Sequence, residues 1–424
     1  MLKLFSDNRN FRSLVLFSTF GGVGHGMFSI FMMWVVHALY QNPMYTGIAG
    51  FMFVAPLVAS FIVGPFVDRW DKVKVLRFVE LTKLIIVLLI LAAHILFYLS
   101  PWFMFIAILI FCVAALFGNP AFTALLPRVV DGEDLVKANA FLDITGIATG
   151  LGVAAMLLLL MAGDSEFIWV YGINAVVLLV SFIAAILLRQ PDSANEVTAQ
   201  EGKTPIKAYF EELMTGFSFV KKGVMLPLVM AVVTMNFFGR AAYVNFPMFA
   251  EVHLGTAFGY VMLSALALTG SMIGSYICRM VETKAKLWKL LVAGFMFAGI
   301  ARILFVNIIA SHRAGAIVFF MIYVGFASSV GLFYQVLIQK LPPKNAISRV
   351  AATNTSLTAI ATAIGALVGG FLGTVLDVNT VFMIQGGSYI VIGGLLCLSK
   401  HVRDLPVINE LKTNGEEVIC EENT

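Results

Sequence analysis

Apolar residues run along this chain in blocks too long and too continuous to be one face of a soluble helix. A helix crosses a hydrocarbon core of about 30 Å with roughly 20 mainly apolar residues, each rising about 1.5 Å. Blocks of that length predict membrane spans at 11–39, 44–67, 76–98, 102–124, 138–162 and 167–188. A second set follows at 224–250, 258–279, 288–310, 314–339, 350–376 and 381–399. A strand barrel would show short alternating segments instead. The expected fold class is an all-α membrane protein of about twelve transmembrane helices in two six-helix bundles. The expected boundaries are 1–189 for the first bundle, 190–222 for a cytoplasmic linker, 223–400 for the second bundle and 401–424 for a cytoplasmic tail. Within the linker, Ile206, Phe210, Leu213, Phe217 and Val220 fall at helical spacing, the pattern of a helix lying on a membrane surface.

Composition agrees: 60% of the residues are hydrophobic and 12% charged, against roughly 25% charged in an ordinary soluble domain. The few cations are placed asymmetrically. Lys3, Arg9, Arg12, Arg69, Lys72, Lys74, Arg77, Arg128, Lys137, Lys203, Lys207, Lys221 and Lys222 fall on one side in the first half. Arg279, Lys284, Lys286, Lys289, Lys340, Lys344, Arg349, Lys400, Arg403 and Lys412 repeat this in the second, leaving Arg313 opposite. That bias places both termini and the linker in the cytoplasm. The net charge of +4 is thereby explained by topology and anionic lipid, with no nucleic-acid partner. Cys112, Cys278 and Cys397 lie in apolar spans and Cys420 in the tail, so neither a disulfide framework nor a zinc site is expected. Gly202-Lys203-Thr204 has Val197 where a phosphate loop needs its first glycine, and no HExxH helix exists. An enzyme is not expected, nor any cofactor; the energy source is a gradient.

The halves repeat. A shift of 212 positions lays Leu125, Arg128, Val129, Leu135, Lys137 and Ala140 on Leu337, Lys340, Leu341, Ile347, Arg349 and Ala352. Two six-helix repeats suit a transporter that rocks about a site at the membrane midplane. Between the second and third spans stands Gly64-Pro65-Phe66-Val67-Asp68-Arg69-Trp70-Asp71-Lys72-Val73-Lys74. This resembles the signature loop of the major facilitator superfamily, with Asp71 where most members carry glycine. Asn119-Pro120-Ala121, Leu126-Pro127-Arg128, the run 133–140 and the run 216–222 are similar to the macrolide-efflux and siderophore-export branch. The second-half counterpart of the signature, Gly274 with Cys278 and Arg279, lacks the acid. The Arg-bearing fourth-helix motif and the Gly-Pro motif of the fifth helix are also absent.

The resemblance implies a conformational latch at Gly64, Asp68, Arg69, Asp71 and Lys72. It also implies proton-coupled export of amphipathic or hydrophobic small molecules, drugs including antibiotics or secreted metabolites, across a bacterial cytoplasmic membrane. One chain is the expected functional unit; a small-molecule substrate, protons and the bilayer are its expected partners. Uptake, or carriage of a lipid-like solute, is the alternative, and a non-transporting receptor a more distant one. The residues add candidates for the substrate or proton pathway. His25 sits mid-span on a face with Ser18, Gly22, Ser29 and Met32, and an imidazole there can exchange a proton. In the seventh span, Asn236, Arg240, Tyr243 and Pro247 form a matching stripe. A mid-bilayer Arg costs about 2.5–3.5 kcal/mol on insertion scales, so Arg240 is expected to face a wet cavity opposite His25, and Arg302 raises the same question. Asp143 is the deepest clear carboxylate, while Glu80, Glu251 and Asp377 read as groups near the interfaces. The 37 Phe and 20 Met could line an adaptable apolar pocket.

Overall fold

The structure is a computed structural model, and it describes residues 2–60, 63, 67, 69–132, 134–161, 167–189, 214, 216–221, 223–343 and 346–411. After a short helix at Leu2–Asp7 come α1 (Arg9–Tyr40), α2 (Pro43–Val58), α3 (Lys72–Ile95), α4 (Pro101–Val129), α5 (Leu135–Met161) and α6 (Phe167–Leu187). The second half supplies α7 (Met225–Tyr243), α8 (Phe246–Leu254), α9 (Ala257–Val281), α10 (Leu287–Ile308), α11 (Arg313–Lys340), α12 (Ile347–Val375) and α13 (Val378–Leu398). Ten helices among the described residues are long and apolar enough to cross a membrane. The 24-residue α3 and the 16-residue α2 occupy the two remaining predicted spans. Most of the linker, 190–213, lies outside the described residues, and with it Ile206, Phe210 and Leu213.

Helix starts follow local chemistry. Asn8 accepts from the Phe11 N–H at 2.9 Å to open α1, and its own amide donates to Val129 O at the end of α4. Ser100 caps α4 with Pro101 in the first turn, where a missing N–H is harmless. Asp377 caps α13 through the Asn379 N–H. The predicted span 224–250 is divided: α7 ends at Tyr243 and α8 starts at Phe246. Pro247 has no N–H to give to the carbonyl four residues back, so the ladder fails there. Asn245, fully buried, bridges the gap by donating to Ala241 O at 2.9 Å and Gly369 O at 2.8 Å.

The chain forms two compact units. Unit 1 comprises 1–41, 52–205 and 256–262; unit 2 comprises 42–51, 206–255 and 263–424. The division therefore cuts α2, whose first turns belong to unit 2, and α9, whose first turns belong to unit 1. In unit 1, α6 packs on α1 and α3, and α3 on α4. In unit 2, α10 packs on α11 and α13, and α7 on α12.

The α7–α12 seam is a backbone contact. Gly365, Gly369 and Gly373 recur every fourth residue along one face of α12. A Cβ on Gly365 would strike the carbonyl of Phe237; one on Gly369, that of Ala241; one on Gly373, the Asn245 side chain. Helices in lipid gain no hydrophobic drive toward one another, so close approach through small residues supplies the contact. Gly370, on the neighbouring face, meets Gly47 of α2 in the same way: a Cβ on Gly47 would lie 2.6 Å from the Gly370 Cα. Residues predicted as the start of a tail are packed: Val402, Leu405 and Ile408 are buried in the unit 2 core. Lys340 Nζ donates to Ile408 O, and the Leu287 N–H to Pro406 O.

Candidate functional site

Unit 1 holds a buried ion pair on α3, the helix that occupies the predicted span 76–98. Glu80 and Lys83 lie one turn apart on α3, 1% and 5% exposed, with Nζ 2.5 Å from Oε1. The Lys83 ammonium also lies 5.8 Å from the Phe111 ring centroid. His25 of α1 is half-buried and stacks on the same ring at 5.6 Å, with Phe28 on it at 3.8 Å. Ser29 donates to the His25 carbonyl at 2.8 Å. Gly21 makes room for the carboxylate, since a Cβ there would stand 3.2 Å from Glu80 Oε1 and 3.0 Å from Ser181 Oγ. Ser181 is turned away, donating to Phe17 O at 3.1 Å. Glu80 Oε2 is buried with no hydrogen-bond partner.

Among its described residues, unit 2 holds one fully buried cation. Arg302 of α10 is 0% exposed, and its guanidinium carbon lies 4.3 Å from the Phe382 ring centroid and 4.6 Å from that of Tyr323. Phe246, Phe305 and Phe320 follow at 5.3, 5.4 and 5.8 Å. Nε donates to Gln385 Oε1 at 2.9 Å, and Gln385 Nε2 donates to the Tyr323 hydroxyl at 2.8 Å. Both terminal nitrogens are buried without a hydrogen-bond partner. Magnitudes explain how the charge is tolerated. A cation over an aromatic face gains about 0.5–2 kcal/mol, so five rings and a charge-assisted hydrogen bond match the few kcal/mol that mid-membrane Arg costs on insertion scales.

The other expected residues are placed as follows. Arg240 and Tyr243 come together, the guanidinium 4.8 Å from the ring, and Arg240 Nη2 donates to Gly50 O at 2.9 Å, on the part of α2 that belongs to unit 2. Asn236 turns back onto its own helix, donating to Val232 O at 2.9 Å. Asp143 is exposed, and the glycines on its face, Gly146 and Gly150, have nothing within 4 Å of a built Cβ.

In the signature loop, Gly64 and Asp68 lie outside the described residues. Asp71 caps α3, accepting from the N–H groups of Val73 at 3.0 Å and Lys74 at 3.2 Å. Its 3.9 Å pairing with Lys74, whose side chain is 80% exposed, adds little. Lys72 is buried and Arg69 exposed. Arg77, further along α3, donates to the carbonyls of Ala185, Ile186 and Leu188 and so completes the C-terminal end of α6.

Sequence reading missed the Glu80–Lys83 pair. Its signal was present: an acid and a base three residues apart within an apolar run that faces a glycine-rich stretch of α1. Gln385 and Tyr323 were also missed, because they meet Arg302 only through the packing of α10, α11 and α13.

Comparison with known proteins gives a consistent picture. The profile of the Major Facilitator Superfamily matches residues 13–362. The chain is 25% identical over 362 residues to YvqJ of Bacillus subtilis, an uncharacterized MFS-type transporter, covering 82% of each protein. Among solved structures, the nucleoside transporter NupG is similar with a TM-score of 0.66 at 14% identity, over 91% of this chain and 98% of that one. The inward-open xylose transporter XylE from E. coli is similar with a TM-score of 0.67 at 14% identity, over 92% and 96%. At those identities the likeness is one of fold.

Proposed function

This chain belongs to the major facilitator superfamily, and from that premise we propose that it is a proton-coupled exporter of amphipathic or hydrophobic small molecules. The superfamily makes it a multi-pass secondary transporter of a small molecule; the coupling ion, the direction and the substrate class are the proposal. The observation that carries it is the set of ionisable side chains inside the spans, above all Glu80 and Lys83 beside His25. Packing alone would be served better by apolar residues, because burying a charge pair in hydrocarbon repays its desolvation poorly. Outward direction is supported by the resemblance of the loop motifs to those of the macrolide-efflux and siderophore-export branch. An apolar cargo is supported by the aromatic interior, in which the only cation of the α10–α13 core is wrapped in rings rather than paired with an acid among the described residues.

In this reading the signature loop is a latch that favours one state, both termini are cytoplasmic, and the membrane is the bacterial cytoplasmic one. His25 belongs to the proton path, with Arg240, Tyr243, Asn236, Arg302 and Asp143 as candidates along the substrate or proton path. Cells producing the protein are expected to hold less of an amphipathic fluorescent dye than cells without it, a difference erased by a protonophore. Asp68→Asn is expected to abolish most of that difference while leaving the amount of folded protein unchanged. Equal dye content with and without the protein across a chemically broad panel would count against export. A C-terminal tag is expected to escape an impermeant reagent on intact cells; its labelling would reverse the orientation.

A further inference from the structure

A buried ion pair can be inert scaffolding, yet this one has three features that scaffolding does not require. Its carboxylate is half used, with Oε1 on Lys83 and Oε2 buried without a partner. The space beside it is kept open by a glycine, Gly21, whose neighbour Gly22 is exposed. Its ammonium also lies 5.8 Å from the centroid of the Phe111 ring, the ring on which His25 stacks.

The surroundings leave Glu80 little else to answer to. From α6 it faces Ser181, whose hydroxyl is committed to Phe17 O. From α1 it faces Gly21, with His25 one turn further on. From α4 the nearby group is the neutral Phe111 ring. On α3 itself, Arg77 is committed to the α6 carbonyls, leaving Lys83 as the counter-charge.

We propose that Glu80 carries the exchanged proton and that Lys83 is its built-in counter-ion; this rests on the proton-coupled reading above and assigns that role to a specific pair. A proton arriving from water adds to Oε2, and the carboxylate becomes a neutral acid. Lys83 keeps its own proton, so the site passes from zero net charge to +1. The ion pair dissolves and the ammonium turns toward Phe111. A buried ammonium without a counter-ion favours whichever state of the transporter hydrates it, which is how proton binding shifts the conformational equilibrium. Loss of the proton restores the pair and the dry arrangement. His25, stacked on the same Phe111 ring, lies on the proton's way to the pair in this scheme.

The test uses the full-length protein in lipid nanodiscs and the proton as probe. A step from neutral to acidic pH is expected to raise the infrared carbonyl band of a dehydrated carboxylic acid in the wild type. Glu80→Gln is expected to remove that band. Glu80→Gln strands Lys83 in the span and is itself at risk of misfolding. The double variant Glu80→Gln/Lys83→Met removes both charges and is expected to melt near the wild-type temperature, to lack the band and to lose at least tenfold of proton-driven dye transport in vesicles. A band that survives in the double variant, or proton coupling that survives in it, overturns the proposal while leaving proton-coupled export in place. Absence of proton coupling in the wild type overturns both.

Discussion

Gly369→Leu is expected to lower the stability of unit 2 by about 3 kcal/mol, at the upper end of what overpacking a tight interior costs. The reason is what the new side chain would meet. A single Cβ there already collides with the backbone of Ala241, and a backbone in a helix cannot swing aside as a side-chain tip can. Helices α7 and α12 would have to separate along the whole Gly365–Gly369–Gly373 face. Asn245, whose amide reaches Gly369 O at 2.8 Å across that seam, would lose that bond and keep only the one to Ala241 O. Gly387 of α13 provides the control, since nothing lies within 4 Å of its built Cβ. Gly387→Ala is expected to leave stability unchanged or raise it by up to about 1 kcal/mol through helix propensity. Thermal unfolding in detergent, followed by helical circular dichroism, separates the two; equal melting of Gly369→Leu and wild type would refute the backbone contact.

The second large effect is expected at Phe382. Phe382→Ala should destabilise unit 2 by about 3–5 kcal/mol, the range for removing a buried aromatic ring, and by more than the equivalent loss elsewhere in the core. Phe382 is the nearest ring to the Arg302 guanidinium, at 4.3 Å, and also stacks on Phe249 at 4.5 Å. Its loss leaves a cavity beside a cation that has no acid to turn to among the described residues. Arg302→Met removes the charge while nearly filling the volume, and is expected to change stability by less than about 1.5 kcal/mol. The pair of variants therefore distinguishes a cage built to tolerate a charge from a charge that holds the cage together. A larger loss for Arg302→Met than for Phe382→Ala would show that the cation organises the rings.

The spans were legible because each requires a long apolar run, and such runs survive any uncertainty about their ends. The break in the seventh was written in Pro247, but an apolar run with one proline reads as continuous when length and hydropathy decide. Only the fold reveals Asn245 as the residue that re-satisfies the freed backbone. Glu80 was assigned to the interface because its span was taken to begin at residue 76. The helix begins at Lys72, where Asp71 caps it, and Glu80 is buried against α1 and α6. Lys83 escaped because a long basic side chain in a span is easily discounted as reaching for the surface, whereas here it is 5% exposed and held by its neighbour. Arg302 was recognised as costly, but its compensation comes from Tyr323, Phe382 and Gln385, residues distant in sequence. Local periodicity carries no information about such a meeting. The stripe of Asn236, Arg240 and Tyr243 was correctly seen as helical spacing, although Asn236 bonds to its own helix and Arg240 to the Gly50 carbonyl.

The claim that this protein exchanges protons for an apolar cargo is tested most directly in inside-out membrane vesicles energised to an acidic lumen and holding a pH-sensitive dye. Adding amphipathic compounds one at a time is expected to produce, for those transported, proton efflux from the lumen together with compound uptake. Both should disappear in Glu80→Gln/Lys83→Met. Proton movement in the same direction as the compound, or compound movement indifferent to the pH gradient, would contradict the account.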